Sequence, residues 1–402
     1  MSQAANLSKT ETSFSSRVPR VRAIKPFAGL IDAVLVEGPV AFPFDGSVVR
    51  SEALAGWTWV VRDLCPDLIS SDALERDNLE AADVETIMPE ILARMRDGYM
   101  AATGGFENGR RLRAQLGSQE AYDHMPVLLN ALRCRALLGK AQAFGKATNS
   151  ITDDAALGVA LQSMPLQDAR VAALLFHAAM GQVANPSRLV TTLVRKAGGG
   201  TEAMISRSGF GPLIDAILAH AQNQLPVLQP IGAFADIDLT CRGLDRFHRL
   251  VRSLTGYVEF ERGSRWTMIL AGLTRQVSER IEPRLKDVVS DMNQALRRGR
   301  EGADRLDNDR LLAALNGVYL LATIRECRDS LALNAEFDLA WAQSGQALEL
   351  HLQRNLEMLR QDPSDPVAGT RVEVGIKMAE VRFNIEYADT LRRARAAAER
   401  RI

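Results

Sequence analysis

Aromatic side chains are scarce, at 5% of 402 residues, and the four cysteines stand singly at 65, 134, 241 and 327. That scatter excludes a Cys-x-x-Cys metal knuckle and argues against a disulfide framework. It fits reduced thiols in a cytoplasmic compartment. Neither sign of charge is in excess, with 49 basic and 49 acidic residues. No global field therefore draws the chain to nucleic acid or to an anionic membrane. Lysine is nearly missing: seven of the basic residues are lysine and 42 are arginine. GC-rich codon usage accounts for such a bias and points to a bacterial genome.

Long hydrophobic runs are missing too. One long uncharged stretch, 171–187, carries Gly181, Gln182, Asn185 and Pro186 and is too short and polar to span a bilayer. Residues 1–16 are rich in Ser, Thr, Gln and Ala and have no apolar centre, so no cleavable signal peptide is read there. Residues 1–17 read as a disordered tail, with a tail-borne secretion address as the alternative.

Chemical motifs are also wanting. No Gly-x-Ser-x-Gly elbow, His-Glu-x-x-His pair or EF-hand loop occurs. In Arg195-Lys196-Ala197-Gly198-Gly199-Gly200-Thr201 the lysine precedes the glycines, whereas a phosphate loop needs it after them. That run reads as a helix stop. No two of the histidines at 124, 177, 220, 248 and 351 lie one helical turn apart, so no helix offers a two-His metal face. His177 falls in an apolar helix and reads as a core histidine. Neither a metal nor any other cofactor is called for.

What remains is a chain rich in Leu, Ala, Val and Ile whose apolar residues recur every third or fourth position. The expected fold is all-α: an N-terminal extended arm and helical region, followed by an antiparallel bundle of longer helices. The arm is residues 18–49, where Pro19, Pro26, Pro39 and Pro43 forbid a long helix. A helical domain covers 50–225, and a boundary near 226–232 leads to the bundle at 233–402. Helices are expected to open at Pro89, Pro165 and Asn185-Pro186, and one is expected to run unbroken over 119–144. The final helix is expected to start at a Thr370–Glu373 capping box.

Three features are candidate sites. Between Asp238 and Leu254 a wheel puts Leu244, Phe247, Val251 and Leu254 on one face and Arg242, Arg246, Arg249 and Arg252 on the other. These arginines form a rail for an anion, an acidic partner or the chain's own acids. Asp236-Ile-Asp238 before it reads as a cap, since carboxylates suit a helix N-terminus. Trp57 and Trp59, two apart, point to different faces, so one can be core while the other is covered by the arm or a partner; both stand as interface candidates beside the reading that the chain itself covers them. A C-terminal basic patch, Arg392, Arg393, Arg395, Arg400 and Arg401, lacks the aromatics that base stacking needs.

The leading functional expectation is a non-enzymatic helical adaptor or regulator of a bacterial cytoplasm, with a protein partner and homo-oligomerisation through the C-terminal helices. One alternative is an enzyme assembled around His248 with Asp245 and its neighbouring arginines. The other is an anion or nucleic-acid binder using the 242–252 rail, with nucleic acid the less favoured.

Overall fold

A computed structural model describes residues 27–69, 81–228, 236–298 and 305–400. The expected tail 1–17, the first part of the arm and most of the expected boundary lie outside these residues. Among those described, the one pairing of strands is a two-residue parallel ladder, Leu35–Val36 (β1) with Val48–Val49 (β2). Nearly everything else is helix or turn, and the all-α class holds. The chain divides into two compact units: one takes residues up to 32 and 53–122, the other 33–52 and 123 onward.

The first unit contains α1 (Phe27–Ile31), most of α2 (Arg50–Trp59), α3 (Ala81–Thr103), α4 (Phe106–Leu116) and nearly all of α5 (Gln119–Asp123). Past Trp59 the chain widens into a π-turn, Val60–Leu64, closed where Cys65 N–H donates to Val60 at 2.7 Å. Trp57 and Trp59, on two faces of α2, and Val60 and Val61 at the start of the wider turn are all buried. Trp59 lies against Gly98 of α3, where a Cβ would come within 3.1 Å of the indole. Arg94 of α3 ties the π-turn down. It donates to Leu64 O at 3.2 Å and forms a fork on Asp67 at 2.6 and 2.9 Å. Pro89 does not open a helix; it lies inside α3.

The second unit begins with the arm residues 33–52 and continues with α6 (Met125–Thr148), α7 (Asp154–Gln162), α8 (Ala169–Met180), α9 (Pro186–Ala197), α10 (Glu202–Arg207) and α11 (Gly211–Gln222). The expected helix over 119–144 is thus two, α5 and α6, because Pro126 takes the first turn of a new helix. Asp168, not Pro165, caps α8, and Asn185 with Pro186 opens α9 as expected. Gly198 ends α9 at φ 80°, a left-handed conformation that glycine adopts without a Cβ clash. Helix α8 packs between α6 and α11, which is why nine consecutive residues, Ala172–Met180, are buried.

The arm is fastened over this layer. Both backbone groups of Phe42 bond the Gln222 amide, at 2.8 and 3.0 Å, and Gly46 lies so near Ala173 O that a Cβ would sit 2.4 Å away. Phe44 stacks under Arg265.

Five longer helices and a shorter last one follow: α12 (Ile237–Thr255), α13 (Arg265–Leu296), α14 (Asn308–Cys327), α15 (Asn334–Gln361), α16 (Pro366–Arg382) and α17 (Ile385–Glu399). Asp365 and Pro366 open α16, one turn before the expected Thr370 box. Thr370 is already helical and its hydroxyl donates to Pro366 O. Helices α13, α14, α16 and α15 form a ring of neighbours in that order. Their shared core includes Met292, Leu296, Ala314, Val318, Leu348, Leu352, Val372 and Ile376. Ala332, His351 and Asn355 bond Ser278, Asn293 and Leu296 in turn, so α13 and α15 run parallel. The six-residue link 328–333 therefore takes the chain across the ring from α14 rather than back beside it. On the two sides of 229–235, α11 and α12 pack together.

Candidate functional site

Helix α12 is where the sequence concentrates its charged pattern. Asp236 starts it by accepting from Leu239 N–H at 3.1 Å, and its inner residues Leu244, Phe247, Leu250, Val251 and Leu254 are buried. The four arginines of the rail have separate fates. Arg242 pairs with Asp238 at 2.6 Å, and Arg249 with Asp245 at 2.7 Å, each one turn along the same helix. Arg246 turns inward and donates to Val183 O at 2.8 Å and Met180 O at 3.0 Å. It thereby satisfies carbonyls left over at the end of α8. Burial pulls its pKa below the ordinary arginine value. Arg252 alone faces outward with no bonded acid among the described residues. No line of four free guanidiniums exists: two are neutralised, one is a cap, one is open.

His248 does not gather a catalytic set. Its Nδ1 bonds Ser330 Oγ at 2.9 Å, and burial lowers its pKa although Asp245 and Asp329 pull the other way. Asp245, its expected partner, is bonded to Arg249. The C-terminal basic patch is likewise partly paired: Arg392 with Glu380 and Asp389, Arg395 with Glu399. The two tryptophans offered as interface anchors are 1% and 4% exposed. Their surfaces are covered by the chain itself, which agrees with the reading of both as enclosed rather than as interface anchors.

The structure joins one pair that the sequence reading left apart. His177 of α8 and His220 of α11 stack with ring centroids 4.4 Å apart, and His220 Nε2 bonds His177 O at 2.8 Å. His177 is buried and His220 half-buried. Burial, with Arg246 nearby, pushes His220 down to about 4; burial and the second ring push His177 well below its usual value. His177 Nδ1 is buried without a hydrogen-bond partner among the described residues. The two positions are 43 residues apart, so no spacing could have signalled the contact.

Helix α14 presents an uncharged surface. From Leu311 to Ile324 this helix has no charged residue. Helices α12, α13 and α16 cover three of its sides. On the fourth, Leu312 and Tyr319 are each 44% exposed, flanked by half-buried Leu315, Ala322 and Thr323. A helix apolar all round is normally enclosed all round.

Among the described residues no group of three or more His, Cys, Asp or Glu side chains is placed to hold a metal ion. None of their helices is long and apolar enough to cross a membrane. No protein-family model, no curated protein and no solved structure matches this chain.

Proposed function

We propose that the chain is a non-enzymatic interaction protein of a bacterial cytoplasm that works as a homodimer through the open side of α14. The observation that carries this reading is the uncharged run Leu311–Ile324 with Leu312 and Tyr319 exposed. Leu312, Leu315, Tyr319 and Ala322 alternate by three and four residues, the spacing of a helix–helix seam. A second copy is the favoured occupant because one seam of this kind fits itself about a twofold axis. The seam carries no charge and the whole chain is neutral, so like-charge repulsion opposes neither contact nor approach. Four free thiols, at 65, 134, 241 and 327, suit a reducing compartment.

The test is light scattering on the intact chain and on a Leu312→Glu, Tyr319→Glu double variant. The wild type is expected at twice the monomer mass at tens of micromolar, and the variant at the monomer mass with an unchanged circular dichroism spectrum. A wild-type monomer across that range removes this reading.

A further inference from the structure

We infer that the second unit holds a small oxyanion, a phosphate or carboxylate group, in a cavity between the arm and α13, with Arg280 as its charged anchor. The inference is independent of the dimer reading, since it uses no residue of α14.

The cavity measures about 250 Å³ and is walled by Glu37, Pro39, Val40 and Ala41 of the arm, Gln222, Asn223 and Leu225 after α11, and Gln276 and Arg280 of α13. A water occupies roughly 30 Å³ of liquid, so the space exceeds what one or two waters fill. Arg280 Nη1 is buried and has no hydrogen-bond partner among the described residues. A buried guanidinium nitrogen without an acceptor is costly, because desolvation is paid and nothing replaces the lost water. Arg246, by contrast, has two carbonyls and Arg382 has Trp341 O and Ser344 Oγ. The open nitrogen of Arg280 coincides with a cavity.

The remaining polar wall agrees with an anion. Gln222 is already committed to Phe42, but the side-chain amides of Asn223 and Gln276 make no bond among the described residues and stand ready as donors. Glu37 is the one carboxylate in the wall; it is paired with Arg50 at 2.7 Å and is 65% exposed, so its charge is neutralised at the rim. The planar fork of arginine matches the paired oxygens of a carboxylate or phosphate. An anion seated there bridges α13 to residues 37–41 and so fastens the arm.

The test titrates the intact chain with inorganic phosphate and, separately, with malonate, at constant ionic strength set by chloride. Calorimetry reads the binding and thermal unfolding reads the linked stabilisation. One of the two anions is expected to bind saturably and raise the unfolding midpoint, and which one does so assigns the group. Arg280→Gln is expected to weaken that binding at least about tenfold, the loss of a charged hydrogen bond, while keeping the anion-free midpoint. Should Arg280→Gln fail to fold, Arg280→Lys, which keeps the charge and loses the fork, carries the same expectation. Absence of saturable binding by either anion, or a variant that binds as tightly as the wild type, overturns the inference.

Discussion

Helices α12 and α14 pack against each other and present opposite outer surfaces. The first looks like a binding site in the sequence, yet its arginines are turned to the chain's own acids and carbonyls. The second carries no residue that invites attention, yet its outer side is uncharged and leaves Leu312 and Tyr319 exposed. The contrast teaches that charge on a helix face is cheaply neutralised one turn away, whereas an exposed leucine or tyrosine has no such local remedy.

Four perturbations sharpen that contrast, beginning with the largest. Phe247→Ala on the buried side of α12 removes a fully enclosed ring, 0% exposed. It is expected to cost about 3–5 kcal/mol in denaturant unfolding, the usual loss for an aromatic deleted from a core. A cost under about 1 kcal/mol would mean that α12 is not an integral layer.

Acid comes next. His220 titrates near 4 in the fold, below its ordinary value near 6.5, so the folded chain prefers the neutral ring. That preference is fully present above pH 6.5 and is lost as pH falls from about 6.5 to about 4. The loss is on the order of 3 kcal/mol by linkage. His177 acts in the same direction. Unfolding free energies of wild type and His220→Gln, measured from pH 7 to 4, are expected to converge on acidification. Parallel curves would show that the ring pair does not govern acid stability.

Arg246→Met, which keeps an apolar stem and removes both carbonyl bonds, is expected to cost about 1–3 kcal/mol. It is also expected to speed hydrogen exchange at the end of α8. The smallest effect belongs to Arg242→Ala and Arg249→Ala. Each breaks an exposed i,i+4 pair and is expected to change stability by no more than about 0.5 kcal/mol. If either approached the Arg246 value, the exposed arginines would have partners beyond the one turn seen here.

The arm changes how truncations are read. Deleting residues 1–49 would remove Phe42, Phe44 and Gly46 from their seats on α8, α11 and α13 as well as any partner contact. A cut before Phe27 leaves that packing whole and isolates the role of the segment ahead of it.

Much of the helical layout was legible because its signals are local. The Asn185-Pro186 start, the Gly198 stop and the Asp236 cap act within three or four residues, and each lies where the sequence put it. The errors came from prolines. Pro89 and Pro165 looked like helix starts, but one is accommodated within α3 and the other precedes a start set by Asp168. At the other end Asp365-Pro366 outranked Thr370, because a carboxylate cap followed by proline uses both rules at one position. The π-turn after Trp59 was invisible, since one inserted residue changes no composition, and the burial of both indoles depends on what packs over α2 from elsewhere in the chain.

The sequence by itself determined the all-α class, the inner stripe of α12 and most helix ends, because periodicity and capping depend on neighbours one turn apart. The tertiary structure alone decided which arginines are free, that His177 meets His220, that the chain crosses the ring between α14 and α15, and that Arg280 looks into a cavity. Each of those outcomes depends on which residue arrives from dozens or hundreds of positions away, and pairing across such distances is fixed only when the helices pack.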